Sequence, residues 1–143
     1  MRTRSRHFLP IVAGLALGLV TACEEDPTGP AAGESFTLAP GERATLRPIG
    51  TRVRFLRVAE DFRCPLQAEC VWAGDGAVLL EIAPPTGDTA EETLHTNESA
   101  GPRSVVLDRY ELMLLALDPY PQVPGGIDAE DYRVVLVLQE RVE

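Results

Sequence analysis

A chain of 143 residues with 22 acidic against 13 basic side chains and 45% apolar residues has the composition of one globular domain with an acidic surface. That excess of negative charge repels nucleic acid and anionic lipid headgroups, which argues against electrostatic attachment to either. All 13 basic residues are arginine, so Schiff-base and P-loop lysine chemistry is excluded as well.

Residues 2–7 (RTRSRH) are basic and residues 8–22 (FLPIVAGLALGLVTA) are apolar, the n-region and h-region of a secretory signal. The run falls short of the ~20 residues that a membrane-spanning helix needs, which favours cleavage over permanent anchoring. Its end, Val20-Thr21-Ala22-Cys23, resembles the lipobox of bacterial lipoproteins, in which small residues precede a cysteine that receives a diacylglyceryl thioether and becomes the new N-terminus. The resemblance implies a signal over residues 1–22, lipid on Cys23, and attachment to a membrane of the cell envelope through that lipid. Glu24 stands where aspartate often signals inner-membrane retention, which favours outer-membrane delivery. Once the signal's three arginines are removed, ten remain against 22 acidic residues, a formal charge of about −12. Residues 24–35 (EEDPTGPAAGES) hold no large apolar side chain, so residues 23–35 read as lipidated cysteine and flexible tether.

An odd number of cysteines in an exported chain calls for an explanation. Lipidation of Cys23 supplies it, and leaves Cys64 and Cys70 as the pair that an oxidising compartment joins. Closing so short a loop contributes roughly 2 kcal/mol. Five residues separate the two cysteines, where redox pairs are typically Cys-X-X-Cys, so the expected role is structural.

From Phe36 onward, short apolar-alternating segments recur between turn signals. Phe36–Leu38 and Ala44–Leu46 flank a turn at Pro40-Gly41. In TRVRFLRV, residues 51–58, the apolar phase passes from Val53 and Phe55 to Leu56 and Val58, as a β-bulge requires. Gly76–Ala83 directs Val78, Leu80 and Ile82 inward and ends at Pro84-Pro85. Glu92–Thr96 and Ser104–Leu107 are positioned to pair across NESAGPR. Tyr110–Leu117 is apolar on both faces, which suggests a central strand covered on each side, with a buried helical segment as the alternative at this length. A loop of three prolines and two glycines, DPYPQVPGGIDAED, precedes a closing strand from Tyr132 to Leu138. The expected fold is all-β: a single antiparallel immunoglobulin-like β-sandwich of seven or eight strands over residues 36–143.

The most distinctive segment is EDFRCPLQAECVWAGDGAV, residues 60–78. It resembles a block shared by a group of small exported bacterial proteins, many of them lipoproteins, with the pattern Glu-Asp-Ser-Arg-Cys-Pro followed by Cys-Val-Trp-Ala-Gly. More loosely, the likeness runs through residues 36–140. It implies the fold and the address, and carries no assigned activity. Phe62 departs from the pattern's serine, so any role of that hydroxyl is absent here.

In physical terms the block is a loop stapled between strands, with Trp72 expected to be buried beside the disulfide and Gly74 with Gly76 permitting a sharp return. Glu60, Asp61 and Arg63 either pair internally or present a recognition surface on a stiff scaffold. Tyr120 in the proline-rich loop is a candidate aromatic anchor. His95 is the single histidine after the signal, which excludes a histidine-cluster metal site. No serine stands in Gly-X-Ser-X-Gly, so an enzyme is not expected, and no cofactor is implied. Calcium is the small-ligand alternative if acidic loop residues converge, with Asp61, Asp75, Asp118 and Asp128 foremost beside Glu60, Glu130 and Asp131. The leading expectation is a non-catalytic binding or scaffold module that contacts an envelope protein or polymer. A protease-inhibitor-like loop is a narrower version by analogy.

Overall fold

Alternating apolar residues put one face of each longer segment into a core, and the chain forms two sheets packed on those faces. The computed structural model describes residues 29–142; the expected signal, Cys23 and the first part of the expected tether lie outside the described residues. Within them run β1 (Ser35–Leu38), β2 (Arg43–Leu46), β3 (Thr51–Asp61), β4 (Gly76–Ala83), β5 (Ala90–His95), β6 (Ser104–Leu107), β7 (Tyr110–Asp118) and β8 (Arg133–Glu140), with a single 3-10 turn at Ala129–Asp131. One sheet has the order β2-β3-β4-β5 and the other β1-β8-β7-β6, with every pairing antiparallel. The expected β-sandwich forms. Its layering is immunoglobulin-like, and its connectivity is that of two meanders, with β1 added beside β8.

The core lies between the sheets. Val53 and Phe55 of β3, Val78 and Leu80 of β4, Leu94 of β5, Leu112 and Leu114 of β7 and Leu136 and Leu138 of β8 are all buried. The phase change in β3 is a bulge between Phe55 and Arg57, and a second register shift follows between Val58 and Glu60. Together they bring Asp61 opposite Gly76, on the same inward face as the pairs Val58–Val78 and Phe55–Leu80.

Two expectations are corrected. The segments flanking NESAGPR do not pair: β5 adds to β4 and β6 adds to β7, so this connection crosses from one sheet to the other. β7 is central in its sheet, between β6 and β8, but only its inward face is covered. Met113 is half-buried and Leu115 is exposed on the other face, because no third layer lies over it among the described residues.

Register also defines the two ends of the sandwich. β3 and β7 end, and β4 and β8 begin, at one pole, which carries the long connections 62–75 and 119–132. β1 runs toward that pole, since Ser35 faces Val137 and Leu38 faces Val134. The chain therefore enters at the opposite pole. There Gly33 N–H donates to Leu138 O at 2.7 Å, and Arg47 donates to Pro30 O from its backbone and to Gly29 O from Nε. Residues 29–34, expected within the tether, are held on the domain by these bonds.

Candidate functional site

At the distal pole the backbone alternates in its last strand positions and first loop positions: Asp61 inward, Phe62 outward, Arg63 inward. Arg63 is 7% exposed and closes the top of the core. Its Nε donates to Asp61 Oδ1 at 2.8 Å and its Nη2 to Asp61 Oδ2 at 2.7 Å, a bidentate pair. The guanidinium also reaches across to the end of β7 and the loop after it, where Nη1 donates to Leu117 O and Nη2 to Pro119 O at 3.0 Å. Asp61 also accepts from the Tyr132 hydroxyl at 3.0 Å. One ion pair thus ties the ends of β3 and β7 to Tyr132, the residue before β8.

Gly76 makes this possible. A Cβ there would meet Leu117 Cδ2 at 2.9 Å and the Arg63 side chain at 3.4 Å. The sharp return expected of the two glycines belongs to Gly74 alone, whose φ of +72° is the left-handed conformation.

Burial opposes the charge on Asp61, but hydrogen bonds from the side chain and backbone of Arg63, its positive charge and the Tyr132 hydroxyl outweigh it. The carboxyl is held below its ordinary value. Tyr132 moves the other way, pushed up to about 12 by burial and by its hydrogen bond to the negative Asp61.

Above this base the stapled loop and the proline-rich loop are joined by backbone bonds, Leu66 N–H to Pro121 O at 3.0 Å and Gln67 N–H to Gln122 O at 3.2 Å. Cys64 and Cys70 form the expected disulfide, with Cα atoms 6.0 Å apart. Between the loops lies a groove of about 660 Å³, walled by Phe62, Val71 and Trp72 on one side and by Pro121, Pro124 and Ile127 on the other, with Asp61, Arg63 and Tyr132 beneath.

Trp72 is the principal correction. Its indole, expected against the disulfide in the interior, is 71% exposed. Arg63, Leu117 and Tyr132 already close the core at this pole, and the staple stands outside them, so no apolar volume is left for an indole to enter. Phe62 and Val71, which line the groove with it, are exposed as well, as are Leu66 in the stapled loop and Val123 in the proline-rich loop. Clustered large apolar side chains at the surface are unusual in a monomer and mark contact sites.

Of the three charged candidates, Asp61 and Arg63 pair internally and Glu60 alone is exposed. Arg63 is therefore a positioning residue and not a recognition contact. Tyr120 is exposed as expected, with the Arg63 guanidinium carbon 5.2 Å from its ring centroid.

The calcium candidates do not converge: among the described residues no three His, Cys, Asp or Glu side chains are grouped to hold a metal. Asp61 is occupied by Arg63 and Tyr132. Asp75 accepts from Asn97 N–H and the Thr96 hydroxyl and lies 2.6 Å from His95 Nδ1. Burial opposes its charge, and these partners together hold its carboxyl below the ordinary value. Asp118 and Asp128 are solvent-exposed. His95 is fixed by Asp75 on one side and by Gly101 on the other, where a Cβ would collide with the imidazole. The pair locks the 96–102 connection to the start of β4.

Phe62, Leu66, Val71 and Val123 were not expected in the site. The signal that points to them is large apolar residues within turn-rich loops, where no strand periodicity can send them inward. Compared with protein-family models, with curated proteins and with solved structures, the chain matches none.

Proposed function

We propose that this protein is a lipid-anchored component of the bacterial cell envelope whose folded domain is a non-catalytic binding module, engaging its ligand in the groove between the stapled and proline-rich loops. The carrying observation is an exposed apolar surface on a rigid base, with Trp72, Phe62, Leu66 and Val71 held by a disulfide, two backbone bonds and the Asp61–Arg63 pair. Such preorganisation lowers the ordering entropy that binding must overcome. The signal-like N-terminus and the Val20-Thr21-Ala22-Cys23 box support export and lipid on Cys23.

The direction of display supports the same reading. The chain joins the domain at the pole opposite the groove, and six residues from Cys23 to Gly29 reach at most about 21 Å when fully extended. Strands of eight and eleven residues, β4 and β3, set the distance between poles at roughly 25–35 Å. A domain anchored through Cys23 cannot invert to press its groove end-on into the same bilayer, so the ligand comes from the other side.

Two measurements test this. Metabolic labelling with palmitate is expected to mark the wild type and not Cys23→Ser; equal labelling refutes the anchor. A photo-crosslinking residue in place of Trp72 is expected to yield a discrete adduct in cells, and the same residue at Asp108, on the proximal pole, none. Adducts of equal yield from both positions, or from neither, refute the groove as a binding surface.

A further inference from the structure

We infer that the groove takes a basic polypeptide segment, anchored by apolar side chains between Trp72 and Ile127 and flanked by lysine or arginine; this rests on the reading of the groove as a binding surface.

Charge identifies the occupant. Glu69 lines the groove, and Asp128, Glu130 and Asp131 lie in the segment between the lining residues Ile127 and Tyr132, all four of them exposed. Among the described residues the carboxylates that meet a basic side chain are Asp61, with Arg63, and Asp75, with His95, so none of these four is paired there. The cation that lines the groove, Arg63, is neutralised by Asp61 and buried beneath the floor. The nearby Arg133 donates its Nη1 to the backbone oxygens of Glu130 and Tyr132 rather than to a carboxylate. An apolar trough with exposed carboxylates at Glu69 and beside Ile127 is complementary to a chain that carries both apolar anchors and positive charge.

The same charges argue against other occupants. A second copy docking through a two-fold axis would bring the two sets of carboxylates against each other, in molecules that each carry about −12 after signal removal. Anionic lipid and nucleic acid are repelled for the same reason. The cavity's 660 Å³ lies within the range that encloses a few side chains.

Trp72 is the single tryptophan of the chain and stands in the groove wall, so its emission reports occupancy directly. The probe is a short synthetic peptide alternating lysine and leucine, compared with one alternating glutamate and leucine and one alternating lysine and serine. The lysine–leucine peptide is expected to shift Trp72 emission to the blue. The glutamate–leucine and lysine–serine peptides are expected to leave it unchanged. The triple substitution Glu69→Gln, Asp128→Asn and Asp131→Asn should weaken binding roughly tenfold and flatten its salt dependence. Fluorescence anisotropy of a labelled peptide should show binding lost in Trp72→Ala. Equal binding of the glutamate–leucine peptide overturns the inference while leaving the groove a binding surface, as does a blue shift with phosphatidylcholine vesicles or an oligosaccharide in place of any peptide. Binding undiminished in Trp72→Ala also overturns it, since the peptide then sits elsewhere on the acidic surface. No response to any probe, together with no crosslink from position 72 in cells, removes both readings.

Discussion

Replacing Asp61 with alanine would strand the Arg63 guanidinium at the top of the core. The carboxylate accepts from Arg63 Nε, Nη2 and N–H and from the Tyr132 hydroxyl, and its loss leaves a buried cation with the Leu117 and Pro119 carbonyls and the Tyr120 ring but no counter-charge. Breaking a buried pair by removing one partner costs about 3–5 kcal/mol. Because Asp61 is itself 12% exposed, water can reach the vacated side, and the expected loss is near the low end, about 3 kcal/mol. Against a total stability of about 5–15 kcal/mol, that lowers the melting temperature by roughly 12 °C or more. Urea unfolding followed by far-ultraviolet circular dichroism measures it. Tryptophan emission is unsuited, since Trp72 is largely in water before unfolding. The double variant Asp61→Ala/Arg63→Met should recover part of the loss, because it removes the stranded charge. A loss below about 1 kcal/mol in Asp61→Ala, or a double variant less stable than the single one, would refute the reasoning.

The same pair has a pH signature. The folded-state pKa of Asp61 lies below its ordinary value of 3.8, so the unfolded chain binds its proton first as the solution is acidified. The stabilisation is complete above the unfolded value and is lost as pH falls through the folded one. Wild-type stability should decline with acid below about pH 4, and Asp61→Ala should show a smaller decline over that range. Asp75, lowered in the same direction, accounts for a part that persists in the variant.

Three further outcomes follow from the site. Trp72→Ala should change stability by no more than about 0.5 kcal/mol, since the indole is exposed; a loss of about 3 kcal/mol in urea unfolding would mean a packed tryptophan. Gly76→Ala should cost about 1–3 kcal/mol by forcing Leu117 and Arg63 apart, measured by thermal unfolding, with an unchanged melting temperature refuting the close approach. In ultraviolet titration the Tyr132 phenol should ionise near 12 and its step should vanish in Tyr132→Phe. Its contribution to stability is present below the ordinary value of 10 and lost as pH rises through about 12.

Strand existence was legible because each longer strand buries one face and alternation records it: Val78, Leu80 and Ile82 are inward in β4, and the bulge in β3 was visible as a change of phase at Leu56. Pairing partners were not legible. Alternation states which face is buried and says nothing about the neighbour, so β5 and β6, close in sequence, end in different sheets. The outer face of β7 was misread for a related reason. Met113 and Leu115 are apolar on a face that only a third layer would cover, and a sequence of strands does not state how many layers there are.

The site divides along the alternation at 61–63. Asp61 and Arg63 point inward and Phe62 outward, so within three residues the charged pair becomes structure and the aromatic becomes surface, the reverse of what hydrophobicity alone assigns. The general preference failed here because this pole of the core is sealed by a bidentate ion pair and not by a large apolar side chain. With Arg63 over Gly76, the position that an indole would have filled is taken, and Trp72 is displaced outward with Phe62 and Val71 onto the stapled loop. The disulfide closes the loop that separates Phe62 from Val71 and Trp72 and so limits how far these exposed side chains can rearrange. Apolar groups restricted in this way lose less conformational entropy on any contact, which is the physical content of preorganisation.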